Sequence, residues 1–360
     1  MGGALLCASL SACSSDSTVH EVEQPLEQIP MQFSQAAVAA PVTRAEGTPL
    51  LQGFLVSCFK GSSKQTVMDK YEVKYKTDQW ENSSQWGYVG KKGSTDDDFY
   101  QDQVQRYWDQ SAFPYQFYAI SPCPKHDAIE KFTISSEKLI IPELFNYQTC
   151  TNEEPANVTE PYYVAEATYN QSARVALPFH HIMSKVRLGI YSSNQQLASS
   201  NFNLSNVKVK VVSDDFVTAA GGYEANTADI FKGTFTEPTK ASTDAAKLLL
   251  QTDGTHTKDM KQANDKASAY FAGSQDGLLQ IPQQDVKLLI SFDINGTPYS
   301  DIPIAVKSGE NTIDSFTWES NKIYTYYINI SDLSPLTIEF SAELSPWINV
   351  EGAIDTNLEK

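Results

Sequence analysis

The sequence predicts an all-β protein with two β-sandwich domains in series. Many short segments alternate apolar and polar residues with a period of two, turn-forming residues separate them, and helical periodicity is scarce. Strands that follow one another without intervening helices are typical of sandwiches, not of parallel α/β sheets. A chain of 360 residues is long enough for two domains that each bury a core.

The N-terminal end is predicted to direct export. Residues 4–12 form a short apolar stretch like the hydrophobic region of a signal peptide, although no lysine or arginine precedes it. The stretch ends in Leu-Ser-Ala before Cys13, and polar residues follow at once. Small residues directly before a cysteine resemble a bacterial lipobox, in which the cysteine is acylated; the alternative is a chance cysteine in a cleaved secretory signal. We expect residues 1–12 to be a lipoprotein signal peptide and Cys13 to carry anchoring acyl chains.

Residues 13–48 are predicted to be a disordered tether or propeptide. Ser, Glu, Gln, Ala and Pro dominate the segment, and no apolar period is sustained through it. Arg44 is its only lysine or arginine, and it lies beside Ala45 near the end of the segment. Because proteolysis concentrates in exposed, disordered segments, Arg44 marks a candidate processing site.

The folded part is predicted to comprise an N-terminal sandwich, residues 49–170, and a C-terminal sandwich, residues 171–360. Predicted strands of the first lie at 51–59, 64–76, 114–121, 132–135 and 138–141. Those of the second lie within 175–191 and at 207–212, 286–294, 298–306, 323–330 and 336–340. Asn295-Gly296 is typical of a type I′ hairpin turn. Residues 244–250 and 259–269 are predicted to form short helices or loops.

Composition and motifs give no support to an enzyme, a nucleic-acid-binding protein or a metalloprotein. With a formal net charge of -17 and no Lys/Arg-rich run, the chain lacks a basic face for phosphates. His180 and His181 are neighbours in a predicted strand, so they point to opposite faces and do not easily share a metal. Residues 96–98 are three aspartates without the calcium-binding EF-hand spacing. No phosphate loop, G-x-S-x-G or H-E-x-x-H motif occurs, and we expect no cofactor and no metal.

Three cysteines lie in the predicted folded part, at positions 58, 123 and 150. An oxidising envelope permits one disulfide and leaves one thiol over, and the sequence does not decide which pair forms, if any. Cys58 lies in a predicted strand and is expected to be a buried thiol. Cys123 lies in a proline-flanked turn, so Cys123–Cys150 is the first pairing to test.

Aromatic residues cluster between two predicted strands, and two interpretations are open for them. Trp80, Trp86 and Trp108 are the largest members of the cluster. Exposed aromatic rings stack on sugars or anchor partner surfaces, which makes these three candidate ligand-facing residues. The other interpretation, which we favour, is that they fill the core or cover its rim.

A series of motifs in a fixed order along nearly the whole chain carries a family resemblance. The motifs are Cys13 with the tail to Ala45, the strands at 51–59 and 67–73, Trp108 ahead of 115–122, residues 175–186, and residues 318–330 with Trp347 near the end. The stretch 175–186 is similar to an apolar-Phe-x-His-x-x-Ser-Lys-apolar strand, and 318–330 to a W-x-x-x-K-x-Y-x-Y-x-I strand. Together they resemble the fimbrillin family, Mfa-like lipoprotein pilins and related surface proteins of type V pili.

The resemblance implies an architecture and a mechanism. The architecture is two tandem transthyretin-like Greek-key β-sandwich domains after a lipidated tail. The mechanism begins at the outer membrane, where the lipid-anchored precursor is cut between Arg44 and Ala45 by a trypsin-like protease. Loss of the N-terminal segment opens a groove, and a strand from another fimbrial subunit fills it. The resemblance therefore implies other fimbrial subunits as partners and a cell-surface fimbrium as the location.

The C-terminal end departs from the pattern of a shaft pilin. Residues 348–360 are polar and alternate poorly, so they make a weak donor strand. This favours a tip, accessory or anchor component that mediates adhesion to a host or bacterial surface. The competing hypothesis is an outer-membrane lipoprotein that binds surface glycans through the aromatic cluster and has no role in a pilus.

Overall fold

Strands dominate the part of the chain that the computed structural model describes, namely residues 28–34, 37–38, 53–76, 86–93, 98–156, 158, 162–196, 202–308, 310–333 and 336–346. The described residues include three short 3-10 helices, at Ile129–Lys131, Ile230–Lys232 and Ala245–Lys247. The predicted all-β class is therefore confirmed. No α-helix in the described part has the length and hydropathy that a membrane crossing requires.

The strands are numbered in chain order. In the first half they are β1 Ala37–Val38, β2 Gly53–Lys60, β3 Gln65–Tyr75, β4 Trp86–Gly87, β5 Tyr115–Ser121, β6 Thr133–Ile134, β7 Lys138–Ile141, β8 Phe145–Asn146, β9 Cys150–Thr151, β10 Glu154–Pro155, β11 Tyr163–Tyr169 and β12 Pro178–His181. In the second half they are β13 Ser184–Tyr191, β14 Asn203–Val211, β15 Val217–Ala220, β16 Gly222–Asn226, β17 Thr234–Thr236, β18 Thr239–Lys240, β19 Leu248–Gln251, β20 Lys258–Asp259, β21 Tyr270–Ala272, β22 Leu278–Gln280, β23 Gln283–Val286, β24 Leu288–Ile294, β25 Thr297–Pro303, β26 Val306–Ser308, β27 Asn311–Ile313, β28 Phe316–Trp318, β29 Lys322–Leu333 and β30 Leu336–Pro346.

A seven-stranded sheet organises the N-terminal half, in the order β1-β12-β11-β5-β2-β3-β4. Its central strands are apolar on both faces, as the run Phe54-Leu55-Val56 in β2 shows. Continuous apolar strands of this kind form when both faces of a sheet are covered. Two cores therefore flank the sheet, because alternate residues of one strand point to opposite sides.

We call these the first core and the middle core. The first core contains Met31, Phe33, Phe54, Val56, Val73, Trp86, Tyr88, Trp108, Phe117, Ala119, Ala165 and Phe179, among others. The middle core contains Leu55, Tyr118, Ile120, Ile134, Leu139, Ile141, Val164, Ile182, Tyr223, Ala225 and Ile230, among others. The sheet β17-β16-β7-β6 covers the middle core, whereas irregular segments and short strands cover the first core.

A second sandwich, formed mainly by the C-terminal half, encloses a further core, which we call the second core. One of its sheets has the order β10-β9-β19-β14-β24-β25, and the other has β21 and β22 against β13, followed by β29 and β30. Its interior is aliphatic with a few aromatic rings, including Val186, Leu188, Val209, Ile290, Trp318 and Ile328. Strict alternation in β24, which is buried at every second residue, places one face of that strand in the core.

Segments from each half of the sequence pack on the other half. Strand β9 pairs with β19 in the second sandwich, and Cys150 lies in the second core. Conversely, β16 pairs with β7, and Tyr223 lies in the middle core. The predicted bounds of 49–170 and 171–360 remain predictions, and the chain crosses between the sandwiches on both sides of residue 170.

The predicted hairpin is confirmed. Strands β24 and β25 pair in register around Asn295 and Gly296, whose φ angles are 50° and 81°. A type I′ turn requires positive φ at both central residues, and Asn and Gly tolerate it best. Residues 259–269 form strand ends, turns and loop, not a helix, and within 244–250 only the 3-10 turn Ala245–Lys247 is helical.

Candidate functional site

The candidate functional site is the strand segment formed by residues 28–34 and 37–38, which we call the N-terminal segment. On one side it pairs antiparallel with residues 106–108, where Met31 N donates to Arg106 O at 2.8 Å and Trp108 N donates to Ile29 O at 2.9 Å. On the other side it runs parallel to residues 175–179, through the bridge at Val175 and the pairing of β1 with β12. Both backbone edges of the segment are therefore used.

Two side chains of the N-terminal segment are inserted into the first core. Met31 is 0% exposed and Phe33 is 1% exposed, whereas Ile29 is 43% exposed. Phe33 makes edge-on contacts with Phe54 and Phe117, with ring centroids 5.5 and 6.3 Å away. Burying a side chain of this size contributes about 1.5–3 kcal/mol each, so the two residues hold the segment firmly.

The buried side chain of Tyr88 holds the backbone of the N-terminal segment through a hydrogen bond. The Tyr88 hydroxyl donates to Met31 O at 3.0 Å and accepts from Arg106 N at 3.0 Å and from Gln105 Nε2 at 2.6 Å. Burial raises the pKa of Tyr88 well above its ordinary value, so the hydroxyl stays neutral. Gln105 Nε2 also donates to Met31 O at 3.0 Å. The polar atoms around Met31 are thereby satisfied inside an apolar core.

The loop that supplies these partners is tied to β3 through Gln103. Its buried amide accepts from Glu72 N at 2.8 Å and donates to Glu72 O at 2.9 Å and to Tyr88 O. A side chain here takes the place of a backbone ladder, because it pairs with backbone groups of residues 72 and 88. The groove that holds the N-terminal segment therefore has fixed walls.

A family model of fimbrillin-like proteins matches residues 43–347. This chain belongs to the fimbrillin-like family. By its description the family is one of fimbrial structural proteins. No curated protein gives a significant match. The matched region begins just before Arg44, so the N-terminal segment lies upstream of it.

Solved structures of fimbrial proteins resemble the fimbrillin-like chain at low identity. A fimbrial protein from Bacteroides vulgatus has 13% identity and a TM-score of 0.51, with 87% of this chain and 99% of that chain covered. A tip fimbrial protein from Porphyromonas gingivalis has 9% identity and a TM-score of 0.35, with 89% and 98% covered. A fimbrial assembly protein from Parabacteroides distasonis has 8% identity and a TM-score of 0.35, with 89% and 99% covered. At these identities the first of them supports the fold alone.

The prediction that residues 13–48 form a disordered tether is wrong for the N-terminal segment. Residues 28–34 and 37–38 are paired in the fold, and two of their side chains are core residues. The signal was present in the sequence as Ile29, Met31 and Phe33, which alternate with polar or proline positions. It was too short to stand out, and the strands that it joins lie far away in sequence.

Several predicted site residues lie outside the described part of the chain. These are Cys13, Arg44, Ala45 and Trp80. Their predicted roles remain predictions. In the sequence, Arg44 lies between β1 and β2, and therefore between the N-terminal segment and the rest of the fold. A cut there would leave the N-terminal segment attached only by non-covalent contacts.

Trp86 and Trp108 are core residues, so their assignment as ligand-facing aromatics is wrong. They are 3% and 5% exposed and belong to the first core. Trp108 packs against Phe113 and Tyr115, with ring centroids 5.8 and 4.8 Å away. The core interpretation favoured from the sequence is correct for both, because the short strands and loops around them need large rings to fill the layer above the sheet.

The predicted Cys123–Cys150 disulfide is not formed. All three described cysteines are free thiols. Cys150 lies in the second core, where its Sγ donates to Gly273 O at 3.4 Å, whereas Cys123 packs against the middle core and contacts Glu72 Oε1 at 3.6 Å. The two residues belong to different sandwiches, so no disulfide geometry joins them. Cys58 is a buried thiol in β2, as predicted.

We expect the three thiols to resist alkylation in the folded protein. Burial raises the pKa of Cys58 and Cys123 far above the ordinary value and that of Cys150 to about 11, so little reactive thiolate exists at pH 8. Intact mass after iodoacetamide treatment of a chain starting at Ser14 should show no label in the native state. It should show three labels in guanidinium without reductant. A single label in guanidinium would indicate a disulfide and contradict the structure.

The histidine pair lies on β12 with different surroundings for each ring. His181 is 4% exposed and packs on Tyr163 at 4.2 Å, whereas His180 is half-buried and stacks on Phe231 at 4.2 Å. Burial lowers the pKa of His180. Among the described residues no group of three or more histidine, cysteine and acidic side chains has the arrangement of a metal site.

Proposed function

We propose that the protein is a lipid-anchored fimbrial subunit that assembles by strand complementation after proteolysis at Arg44. The observation that carries the proposal is the N-terminal segment, which fills a groove with both of its edges paired and with Met31 and Phe33 in the first core. It lies upstream of Arg44 in the chain. A removable strand in a preformed groove is what this kind of assembly needs.

The physical driving force is the cost of an empty groove. Without the segment, backbone groups at 106–108 and 175–179 lose their partners and the apolar positions of Met31 and Phe33 are open. An open strand edge beside an apolar groove is unfavourable until another strand fills it. A donor strand from a second subunit would restore the main-chain hydrogen bonds, and its alternate side chains would set the register.

The proposal also includes a lipid anchor and a role within the fimbrium. Acylation of Cys13 would hold the precursor at the outer membrane until cleavage at Arg44 releases it. Residues 348–360 are polar and alternate poorly, whereas a good donor strand alternates apolar residues, and this composition supports a tip, accessory or anchor component. In this position the subunit would act in adhesion at the cell surface. The alternative of a glycan-binding lipoprotein without a pilus role loses the support of Trp86 and Trp108.

The test is mild trypsin treatment of the chain that starts at Ser14, followed by intact mass and SDS-resistant laddering. We expect the first cut after Arg44 and a resistant core, because many lysines and arginines of the sandwiches lie in strands, such as Lys74 in β3, Arg187 in β13 and Lys208 in β14. Ladders would indicate self-assembly. Cleavage without ladders would indicate a tip or accessory role that needs a different subunit as donor.

The matched control is Arg44→Ala, which keeps the groove and removes the predicted cut. It should stay intact at the N-terminal end and form no ladder. Resistance of the natural sequence at Arg44, or digestion throughout the core at the same rate, would contradict processing-linked assembly.

A further inference from the structure

A cleft lies at the junction of the two sandwiches. Its lining includes Phe231 and Lys232 of the 3-10 helix Ile230–Lys232, residues 317–322, and His180 and His181 of β12. Its volume is ≈ 760 Å³. Small-molecule sites occupy clefts of about 300–1,000 Å³ and are frequent at domain interfaces. The size suits two or three sugar rings or a ligand of similar bulk.

The lining of the cleft includes a stacked aromatic pair, His180 and Phe231. The rings of His180 and Phe231 stack with centroids 4.2 Å apart and planes 24° apart, and both residues line the cleft. Ser320 Oγ donates to Phe231 O at 3.4 Å, so the segment 317–322 helps to hold Phe231 in place. Ile230 next to it is fully buried in the middle core. Because burial lowers the pKa of His180, its ring is neutral at neutral pH.

The charges in the cleft cancel locally. Lys232 Nζ pairs with Asp229 at 2.8 Å, and Lys322 pairs with Glu319. In both pairs the acid lies three residues before the lysine, and all four residues line the cleft. A charged ligand would have to compete with these pairs, and an anion would also meet the formal net charge of -17 of the chain. The cleft therefore favours an uncharged ligand.

The remaining lining residues carry amide and hydroxyl groups. Gln284, Thr317 and Asn321 line the cleft and supply both hydrogen-bond donors and acceptors. The Asn321 side chain is held in place, because its Oδ1 accepts from His181 N at 3.2 Å. An apolar ring face beside neutral donors and acceptors matches the two surfaces of a sugar, whose C–H face packs on a ring while its hydroxyls need partners of both kinds.

We infer that this cleft binds a neutral carbohydrate, with the His180–Phe231 stack as its platform and the amide and hydroxyl groups as its specificity-determining contacts. This site gives a ligand class to the adhesive role, and the inference rests on that part of the proposed function. It does not rest on assembly. Strand β12 pairs with the N-terminal segment at Pro178 and Phe179, and the cleft begins at the next residue. The cleft is therefore adjacent to the groove but distinct from it.

The experiment uses the uncleaved chain from Ser14 with Arg44→Ala, so that the groove stays filled and assembly plays no part. The probe is an array of neutral and acidic oligosaccharides, and hits are titrated by calorimetry. Phe231→Leu keeps an apolar side chain but removes the ring face. It should weaken binding of a neutral oligosaccharide about fivefold or more, because a ring contact contributes about 1 kcal/mol. His180→Ala should weaken it in the same direction.

The matched control is Tyr299→Ala, which removes another partly buried aromatic ring on the second core, away from the cleft. It should bind as the parent does. Circular dichroism confirms that each variant is folded. Absence of binding to every neutral oligosaccharide, binding to acidic ones alone, or unchanged binding in Phe231→Leu would overturn the inference. Because the chain is uncleaved, these results are independent of whether Arg44 cleavage triggers assembly.

Discussion

Replacing Phe33 by alanine is expected to destabilise the uncleaved protein by about 3–5 kcal/mol and to speed release of the N-terminal segment after cleavage. The ring is 1% exposed and lies among Phe54, Tyr88 and Phe117, so its removal leaves a cavity that fixed neighbours do not close. A loss of this size weakens retention of a cleaved segment by about two to four orders of magnitude. Guanidinium unfolding measures the first effect, and loss of the segment followed by intact mass measures the second.

The matched control for Phe33 is Ile29→Ala on the same segment. Ile29 is 43% exposed and contributes mainly its backbone carbonyl, which accepts from Trp108 N and stays in the variant. We expect its effect on unfolding to be within about 0.5 kcal/mol. Equal effects of the two substitutions would contradict the account of the groove, because they would show that the inward side chain does not hold the segment.

Replacing Trp108 by alanine is expected to cost about 3–5 kcal/mol and to loosen the whole layer above the N-terminal sheet. The indole packs on Phe113, Tyr115 and Phe117, and the Trp108 backbone receives the N-terminal segment. The structure therefore predicts a folding defect and not a selective loss of ligand binding. Thermal unfolding and hydrogen exchange of residues 28–38 measure it.

The neighbouring Tyr107→Ala serves as the control for Trp108. Tyr107 is 43% exposed, so its loss should leave stability nearly unchanged. If Trp108→Ala unfolded at the same denaturant concentration as the parent, the burial of this indole in the first core would be contradicted. A stable Trp108 variant that loses binding to a surface glycan would restore the ligand-facing interpretation.

Long strands with regular alternation are the part of the fold that the sequence predicts best. The prediction at 207–212 corresponds to β14 at Asn203–Val211, and 114–121 corresponds to β5 at Tyr115–Ser121. Alternation is a local property, since it records which side of one strand faces a core. The Asn295-Gly296 hairpin is equally local, because the turn itself demands residues that accept positive φ.

Features that depend on distant partners were not predictable in the same way. The N-terminal segment pairs with residues 106–108 and 175–179, and nothing near residue 30 signals those partners. Cys123 and Cys150 stay free thiols because they pack on different cores, and their spacing in the sequence does not reveal this. The burial of Trp86 and Trp108 is one of two interpretations that the sequence leaves open, because a cluster of aromatic residues has the same sequence pattern on a surface and in a core.

The site was therefore predictable in outline and not in detail. The Arg44 cut stays a prediction, and the family resemblance implies a strand that leaves a groove. Which residues form that strand became visible only in the fold, with Met31 and Phe33 pointing inward. The cleft at His180 was hidden as well, because its walls come from residues about 50 and 140 positions further along the chain.

The central claim is that the groove holds an exchangeable strand, and strand exchange tests it most directly. The chain from Ser14 is mixed with an isotope-labelled peptide of residues 14–44, before and after cleavage at Arg44, and the peptide content of the protein is followed by native mass spectrometry. We predict that the labelled peptide enters only the cleaved protein, in a one-to-one exchange with the original segment, and faster in Phe33→Ala. A cleaved protein that keeps its own segment and takes up no labelled peptide would contradict the claim, because the segment would then be a permanent part of the fold.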